Sequence, residues 1–270
     1  MAKDKIKIAR ADLHYWEEPC ISGKNGSGTI FFSNCNLKCI FCQNYEISTE
    51  NIGQEITIEK FSDICIDLQN KKALNINLVT PTHFVPLIIE GIKLARKKGL
   101  KIPIVYNTNG YENIETIKML NGYIDIYLPD LKYYSDFYAI KYSNCKNYFK
   151  FASQAIEEMY NQVGKPIFEK GILKKGVIVR HLILPNLTKD SKRILKYLYE
   201  KYNDNIFISI MNQYTNIRKL EYENLNRTIT NKEYNDVINY ACDLGIKNAY
   251  IQKGKTQKKS FIPDFKSQKF

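Results

Sequence analysis

Short apolar β-type runs alternate with amphipathic helical stretches along almost the whole chain, and this alternation constrains the fold more than any other feature. The predicted strands are 28–32, 75–79, 102–106, 123–128, 177–184 and 206–211, with a last short strand near 248–251. The predicted helices lie near 57–71, 84–98, 112–120, 147–163, 189–201 and 230–243. Such alternation predicts parallel strands joined by crossover helices. Six units are too few for an eight-fold closed barrel, which leaves an open (β/α)6 partial barrel or a doubly wound sheet.

Local signals support these boundaries and argue against a dinucleotide fold. Thr57, Asn113 and Thr230 stand where helix N-caps are expected, and Gly99 and Gly245 where helices end. The segment 164–176 is rich in Gly and predicts a loop or a short hairpin. The chain has no Gly-x-Gly-x-x-Gly run after its first strand and no P-loop, so neither phosphate-binding fingerprint is present.

The composition is that of a globular protein. Hydrophobic residues make up 44% of the 270 residues, which is too many for a disordered chain and enough to bury a full core. No run approaches the roughly 20 apolar residues that a membrane helix needs. The first sixteen residues lack the apolar region of a secretory signal. We therefore expect a cytoplasmic protein with no membrane partner.

The net charge of +12 suggests an anionic partner only weakly. Arg reads phosphates and base edges bidentately, but only 6 of the 40 basic residues are Arg. A surplus of Lys favours a solvated surface over a nucleic-acid site. Residues 1–10 carry +3, residues 253–270 carry +5, and the 242 residues between them carry +4. The charge is thus largely a property of the termini and does not predict a nucleic-acid partner.

Polar side chains follow the predicted strands at their carboxyl ends, where the loops of a parallel α/β fold converge. These loops are 33–44, 80–83, 107–110, 129–132 and 212–214. Asn, Asp, Thr and Pro are also ordinary turn formers, which explains any single loop. It does not explain Arg180 and His181 inside the fifth strand, because a buried charge needs a partner. The pattern predicts a shared active-site mouth.

Three of the seven cysteines, Cys35, Cys39 and Cys42, lie within eight residues on the loop after the first strand. An odd cysteine count argues against a disulfide framework. Three thiolates are one ligand short of a structural zinc site. The conceivable fourth ligands are His14, Cys20 and His83. None of them has the usual paired spacing, whereas three cysteines suit a [4Fe–4S] cluster with one open iron. A zinc site remains the alternative.

The cysteine loop resembles the signature of radical S-adenosylmethionine (SAM) enzymes. Cys-x-x-x-Cys-x-x-Cys follows the first strand, and aromatic Phe41 precedes the last cysteine. The closer resemblance is to the pyruvate formate-lyase activating enzyme-like branch, in particular the PflX-type proteins. The segments that carry it are 14–19, 21–32, 42–48, 75–83, 104–110, 126–132 and 179–185. The resemblance covers residues 10 to 250 and implies an α/β partial (β/α)6 barrel of the radical SAM type.

The resemblance implies a specific chemistry. Cys35, Cys39 and Cys42 would hold three irons of a [4Fe–4S] cluster, and SAM would chelate the fourth. One electron from an external flavodoxin- or ferredoxin-like donor would cleave SAM to methionine and a 5′-deoxyadenosyl radical, which abstracts hydrogen. The substrate would be a partner protein of the glycyl-radical type, with another peptide, a small molecule or a nucleic acid as the alternative.

The resemblance also implies the residues that bind SAM. They are Phe41, Thr80, Thr82, His83, Thr108, Asp130, Lys132 and Arg180. The family's Gly-Gly-Glu after the second strand is here Thr80-Pro-Thr-His83, and an Asp usual after the third strand is Asn107. Oxygen and nitrogen atoms of the threonines and histidine would therefore replace a carboxylate near the amino group of SAM.

Three parts are predicted along the chain. Residues 1–27 form an N-terminal extension that packs on the barrel, 28–252 the partial barrel, and 253–270 a basic C-terminal tail. By analogy with the family, His14, Glu17 and Glu18 face a substrate, although adjacent carboxylates are often only surface residues. A non-catalytic Fe–S or zinc protein is the alternative from another functional class.

Overall fold

A computed structural model describes residues 5–50, 52–252 and 265, and most of them build one ten-stranded sheet with its connecting helices. The strands are β1 (Ile6–His14), β2 (Ser27–Phe32), β3 (Gln54–Ile56), β4 (Ile76–Val79), β5 (Ile104–Thr108), β6 (Ile126–Pro129), β7 (Ile167–Glu169), β8 (Ile172–Leu182), β9 (Phe207–Met211) and β10 (Ala249–Ile251). The helices are α1 (Pro19–Ser22), α2 (Tyr45–Ser48), α3 (Ile58–Asn70), α4 (Val85–Lys97), α5 (Ile114–Met119), α6 (Asp136–Ser143), α7 (Tyr148–Val163), α8 (Thr188–Tyr202) and α9 (Asn231–Asp243). Short 3-10 turns lie at Thr82–Phe84, Asn203–Asn205 and Glu223–Leu225.

The strand order is β10-β9-β8-β6-β5-β4-β2-β1-β3, with β7 paired to β8. The strands from β2 to β10 along this path are all parallel to their neighbours. β1, β3 and β7 are antiparallel to their partners. Among the described residues no pairing joins β10 to β3, so the sheet does not close. The predicted α/β fold with an open, mostly parallel sheet is confirmed.

Helix boundaries follow the predicted caps. The side chains of Thr57, Asn113 and Thr230 each accept a hydrogen bond from a backbone N–H in the first turn of the following helix. Thr230 and Glu233 form a full capping box at the start of α9. Gly99 takes up a φ of +98° just after α4, a left-handed conformation that costs glycine little. The predicted hairpin in 164–176 is the β7–β8 pair, so β8 begins earlier than the sequence pattern predicts.

The N-terminal segment, residues 5–22, first adds a strand to the sheet and then packs against one face of it. β1 pairs with β2 from Ile8 to His14, so this part of the predicted extension is an added antiparallel strand. The chain then turns into α1, where Cys20 and Ile21 pack against apolar side chains of β5, β6 and β8. Asn75 Nδ2 donates a hydrogen bond of 2.8 Å to the Ile21 carbonyl, which fixes the segment at this position.

The predicted basic tail, 253–270, lies outside the described residues except for Phe265. That ring packs edge-on against Phe31 with 5.3 Å between centroids. No helix in the described part of the chain has the length and apolar character needed to cross a membrane.

Candidate functional site

A cavity of about 440 Å³ lies between one face of the sheet and the N-terminal segment. The sheet contributes Phe31, Val79, Asn107, Arg180, Ser209, Met211, Tyr250 and Ile251. The N-terminal segment contributes His14, Trp16, Glu17, Glu18 and Pro19, and the loops contribute Gln43, Asn44, Gln213 and Gln252. Strand register explains the sheet contribution, because Phe31 opposes Val79 and Val79 opposes Asn107 in neighbouring parallel strands. Opposed residues of paired strands share a face.

Arg180 is the electrostatic centre of the cavity wall. Its Nε donates to Asp130 Oδ1 at 3.1 Å, its Nη1 to Glu17 Oε2 at 3.1 Å, and its Nη2 to Asn107 Oδ1 at 2.8 Å. Burial alone would lower the pKa of Arg180, but the surrounding carboxylates outweigh it and raise that pKa. The mid-strand charge therefore has the partners that the sequence analysis requires.

The next residue, His181, is not part of this wall. Adjacent strand residues point to opposite faces, so His181 lies in the core, where its Nδ1 is 2.7 Å from the Leu131 carbonyl. Burial lowers its pKa to about 4, and the ring is neutral at pH 7. Of the two mid-strand residues, Arg180 therefore lines the cavity and His181 does not, so a shared active-site mouth stays a prediction for Arg180 alone.

Glu17 and Glu18 enter the cavity from the N-terminal segment. Glu17 Oε1 accepts a hydrogen bond of 2.9 Å from Asn77 Nδ2, in addition to its ion pair with Arg180. Glu18 is only 8% exposed, and burial raises the pKa of its carboxyl against the opposing effect of Arg180. Burial, together with Arg10 and Arg180, lowers the pKa of His14. All three residues line the cavity, and that they face a substrate stays a prediction.

Asp130 connects this wall to the cysteine loop. Its second carboxylate oxygen is paired with the Lys132 ammonium. Burial would raise the pKa of Asp130, but Lys132 and Arg180 hold it below its usual range. The Lys132 charge in turn acts on Cys35 and Cys39, where it opposes the effect of burial on the thiol pKa values. Successive ion pairs therefore link Glu17 through Arg180 and Asp130 to Lys132, whose charge acts on the thiols.

Each thiol of the cysteine loop has a polar neighbour. Asn109 Nδ2 donates to Cys35 Sγ at 3.3 Å, and Ser143 Oγ donates to Cys39 Sγ at 3.0 Å. The Ser48 hydroxyl lies 3.4 Å from Cys42 Sγ. Hydrogen-bond donors and a nearby ammonium stabilise anionic sulfur, so this donor set fits thiolate ligands of an Fe–S cluster.

The thiols of Cys35, Cys39 and Cys42 do not surround a common point. Burial, with smaller contributions from the nearby Cys42 and Cys35, raises the pKa of Cys39 to about 12. Within residues 5–50, 52–252 and 265, no group of three or more His, Cys, Asp or Glu side chains is already placed to hold a metal ion. Ligation of a cluster by Cys35, Cys39 and Cys42 therefore stays a prediction, supported by the chemistry of the donor set.

Glu112 forms a second network that the sequence analysis does not predict. Its Oε1 accepts hydrogen bonds from Thr82 Oγ1 at 2.7 Å, from Tyr106 OH at 3.2 Å and from Thr108 Oγ1. Burial raises the pKa of Glu112, which the hydroxyl donors oppose. The pattern predicts only a helix start at residue 112, whereas the fold places a carboxylate beside Thr82, in the loop that replaces Gly-Gly-Glu, and beside Thr108 of β5. This carboxylate holds Thr82 and Thr108 in place.

Most of the predicted SAM-binding residues do not line the cavity. Of the eight, only Arg180 lines the cavity directly. Phe41 is buried and packs edge-on against Tyr214, with 6.0 Å between ring centroids. Thr80 has a left-handed φ of +57°, and its N–H donates to the Asn107 carbonyl at 2.8 Å. His83 is exposed.

Tyr148 is a further residue that sequence reasoning misses. Its hydroxyl donates toward the backbone carbonyls of Asn109 at 2.8 Å and Asp130 at 3.0 Å, and it accepts from the Lys132 N–H at 3.0 Å. One buried side chain of α7 thus ties the loop after β5 to the loop after β6. From the sequence, the position of Tyr148 in an amphipathic helix indicates only that the side chain is buried.

Comparisons with known proteins show which family this chain belongs to. The family model of the radical SAM superfamily matches residues 29–198. The uncharacterized protein MJ0674 of Methanocaldococcus jannaschii is 30% identical over 244 residues, which are 85% of this chain and 65% of that protein. The chain therefore spans about two thirds of this curated relative.

Solved structures share the fold at low sequence identity. Streptococcus suis SuiB bound to the precursor peptide SuiA superimposes with a TM-score of 0.55 at 14% identity, over 83% of this chain and 47% of SuiB. The FeFe-hydrogenase maturase HydG from Carboxydothermus hydrogenoformans gives 0.53 at 12% identity, over 81% of this chain and 50% of HydG. The chain spans about half of each of these proteins.

The matched range of the family model begins in β2, includes the cysteine loop and extends into α8. It covers more than half of the chain and five of the parallel strands. This chain is therefore a member of the radical SAM superfamily, whose cofactors are a [4Fe–4S] cluster and S-adenosylmethionine.

Proposed function

We propose that this chain is a radical SAM enzyme that abstracts a hydrogen atom from a substrate bound in the cavity. The observation that carries the proposal is the cysteine loop, whose three thiols have polar neighbours and whose next residues, Gln43 and Asn44, line the cavity. When bound, the cluster and SAM supply one-electron cleavage of the sulfonium, which gives methionine and a 5′-deoxyadenosyl radical.

The chain's own residues have distinct proposed roles. Cys35, Cys39 and Cys42 hold the cluster. Arg180 contacts SAM from the cavity wall, because its guanidinium lies there with fixed orientation. Asp130 and Lys132 set the charge between this guanidinium and the cluster loop.

The loop after β4 completes the proposed SAM site. Thr80, Thr82 and His83 stand where the family holds the amino group of SAM, and Thr108 stands on the adjoining loop. Glu112 is a positioning residue, since it fixes the hydroxyls of Thr82 and Thr108. Phe41 remains the proposed neighbour of the adenine.

An external one-electron donor is part of the proposal. The cysteines outside the loop are Cys20, Cys65, Cys145 and Cys242. The first three are buried at separate places and Cys242 is exposed on α9, so the described residues offer no second cluster motif. A small flavodoxin- or ferredoxin-like protein would therefore deliver the electron.

A protein or peptide is the substrate class we favour. Trp16 lines the cavity and is 64% exposed, so the cavity opens beside a large apolar surface group of the kind that interfaces use. SuiB, which shares the fold, was solved with a precursor peptide. Activation of a glycyl-radical-type partner is the specific form of this proposal, and a small-molecule substrate is its alternative.

The test is anaerobic reconstitution with iron and sulfide, followed by reduction in the presence of SAM and measurement of 5′-deoxyadenosine. We expect the wild type to release it and Cys39→Ala to lose at least 90% of the yield. Cys242→Ala is the matched control, because this thiol is exposed on α9 and should not affect the yield. Equal yields from Cys39→Ala and the wild type, or a protein that retains zinc and no iron, would refute the proposal.

A further inference from the structure

One carboxyl group in the cavity has no ion-pair partner among the described residues. Glu18 lines the cavity and is 8% exposed. Its Oε2 is buried and has no hydrogen-bond partner among the described residues. Ser209 also lines the cavity, and its hydroxyl lowers the pKa of the Glu18 carboxyl against the larger effect of burial. A buried carboxylate oxygen without a donor is costly, so such an atom calls for a ligand.

Arg180, the cation that lowers the pKa of Glu18, already donates hydrogen bonds to other groups. The three nitrogen atoms of the Arg180 guanidinium donate to Asp130, Glu17 and Asn107. Lys132 is paired with Asp130 as well. This network thus holds two cations, Arg180 and Lys132, against the carboxylates of Asp130, Glu17 and Glu18, and among the described residues Glu18 has no ion pair.

The backbone holds Glu18 at this place. The Glu18 carbonyl accepts from the N–H groups of Ile21 and Ser22, and Pro19 directly follows. The Glu17 N–H donates to Ser22 Oγ at 3.0 Å, and Ile21 is fully buried. Because both neighbours are fixed, the carboxylate cannot move into bulk water without opening the segment.

Among the described residues, the rest of the cavity lining supplies no positive charge. Burial and the two arginines lower the pKa of His14, so this cavity-lining ring is neutral at pH 7. Phe31, Met211 and Tyr250 add apolar or aromatic surface to the same wall. A carboxylate in such surroundings selects a partner that carries charge and N–H donors together.

We infer that the substrate carries a nitrogen cation, a protonated amine or a guanidinium, and that this group donates to Glu18 Oε2 in the cavity. The inference rests on the proposed function, which makes this cavity the substrate site. It adds the chemical class of the substrate group and names Glu18 as the residue that selects it. In a peptide substrate, the group is a lysine or arginine side chain or an amino terminus.

The test is a binding experiment that does not depend on turnover. The reconstituted protein, saturated with SAM, is titrated with n-hexylammonium and with neutral 1-hexanol while Trp16 fluorescence is recorded. Trp16 is the single tryptophan and lines the cavity, so its emission reports occupancy. We expect the cation to bind about ten-fold more tightly than the alcohol, as a charged hydrogen bond predicts.

The variants assign this preference to one residue. Glu18→Gln should abolish the preference without lowering the melting temperature, because it removes an uncompensated buried charge. Glu90→Gln on α4 is the matched control and should keep the preference, because Glu90 is exposed and lies outside the cavity. If Glu18→Gln fails to fold, Glu18→Asp serves instead and should weaken cation binding while alcohol binding is unchanged.

Three results would overturn the inference. They are equal affinities of the wild type for the two probes, a preference that survives in Glu18→Gln, and cation binding that a parallel titration of the SAM-free protein shows but the SAM-saturated protein lacks. The last result would assign Glu18 to SAM itself. Because 5′-deoxyadenosine release is measured separately, none of these results decides the proposed function.

Discussion

Glu17 and Arg180 form an ion pair of 3.1 Å that joins the N-terminal segment to β8, 163 residues further along the chain. Their side chains are 9% and 17% exposed, so the pair is largely removed from water. Asn77 and Asn107 supply further hydrogen bonds to the two partners. The pair therefore closes one side of the cavity and fixes the guanidinium that the proposed reaction uses.

Glu17→Gln tests how strongly this pair holds the N-terminal segment. Breaking a buried pair leaves an incompletely compensated charge, so we expect the free energy of unfolding to fall by about 3 kcal/mol. Urea denaturation followed by circular dichroism measures the change. Glu115→Gln is the control, since the Glu115–Lys118 pair is exposed and its loss should leave the free energy of unfolding nearly unchanged. Equal effects of the two substitutions would contradict this account.

Gly110→Ala tests the close approach of the loops after β5 and β6. Gly110 has a φ of +82°, and a Cβ there would overlap with the Asp130 backbone carbonyl. Strain and overlap together predict a loss of about 3 kcal/mol in the free energy of unfolding. Gly122→Ala is the control, because Gly122 has nearly the same φ, +83°, but open space around it. That change should cost about 1 kcal/mol by strain alone. Similar urea midpoints for the two variants would show that the approach does not matter.

Ser143→Ala tests whether the donor to Cys39 adjusts the proposed cluster. The Ser143 hydroxyl donates to Cys39 Sγ at 3.0 Å and lies 2.7 Å from Tyr133 OH. A hydrogen bond to a ligand sulfur favours the more negative, reduced cluster. Its loss should make the potential more negative by up to about 40 mV, the one-electron equivalent of roughly 1 kcal/mol. A redox titration followed by electron paramagnetic resonance measures this shift. Ser153→Ala, which removes an exposed hydroxyl on α7, should leave the potential unchanged.

The sequence pattern predicts the parallel strands and long helices well because burial in the core requires apolar residues at regular positions. Fully buried strands give short apolar runs, and capping side chains mark the helix ends. The pattern fails at α6, where Phe137 and Ile140 are exposed and the helix has no clear apolar stripe. It also does not assign β1, whose Ile6 and Ile8 alternate with polar residues and so lack the continuous apolar run that marks the parallel strands.

The candidate site is predictable only where local spacing carries the chemistry. The cysteine loop is visible because three thiols lie within eight residues, and Arg180 because a charge interrupts an apolar strand. Glu112 and Tyr148 are not visible, since their hydrogen-bond partners lie on other elements and only the fold brings them together. For His181 the sequence suggests a place in the site that the fold does not provide, because a residue next to Arg180 in the strand points to the other face of the sheet.

The pH dependence of stability tests the burial of His181. Burial lowers its pKa to about 4 from an ordinary value of 6.5, so the unfolded chain binds the proton first as the pH falls. Between pH 6.5 and 4 the unfolded state holds more protons, and the free energy of unfolding decreases by up to about 1.4 kcal/mol per pH unit. Below pH 4 both states are protonated and this contribution no longer changes.

His181→Asn retains a side chain that can hydrogen-bond to the Leu131 carbonyl but cannot titrate. We expect its free energy of unfolding to decrease less steeply than that of the wild type between pH 6.5 and 4.5, because the other titrating groups are common to both. Urea denaturation at half-unit intervals of pH gives the two curves, and their difference isolates the histidine. Parallel curves over this range would mean that His181 is protonated in the folded protein as readily as in the unfolded chain, which its complete burial against Leu131 does not allow.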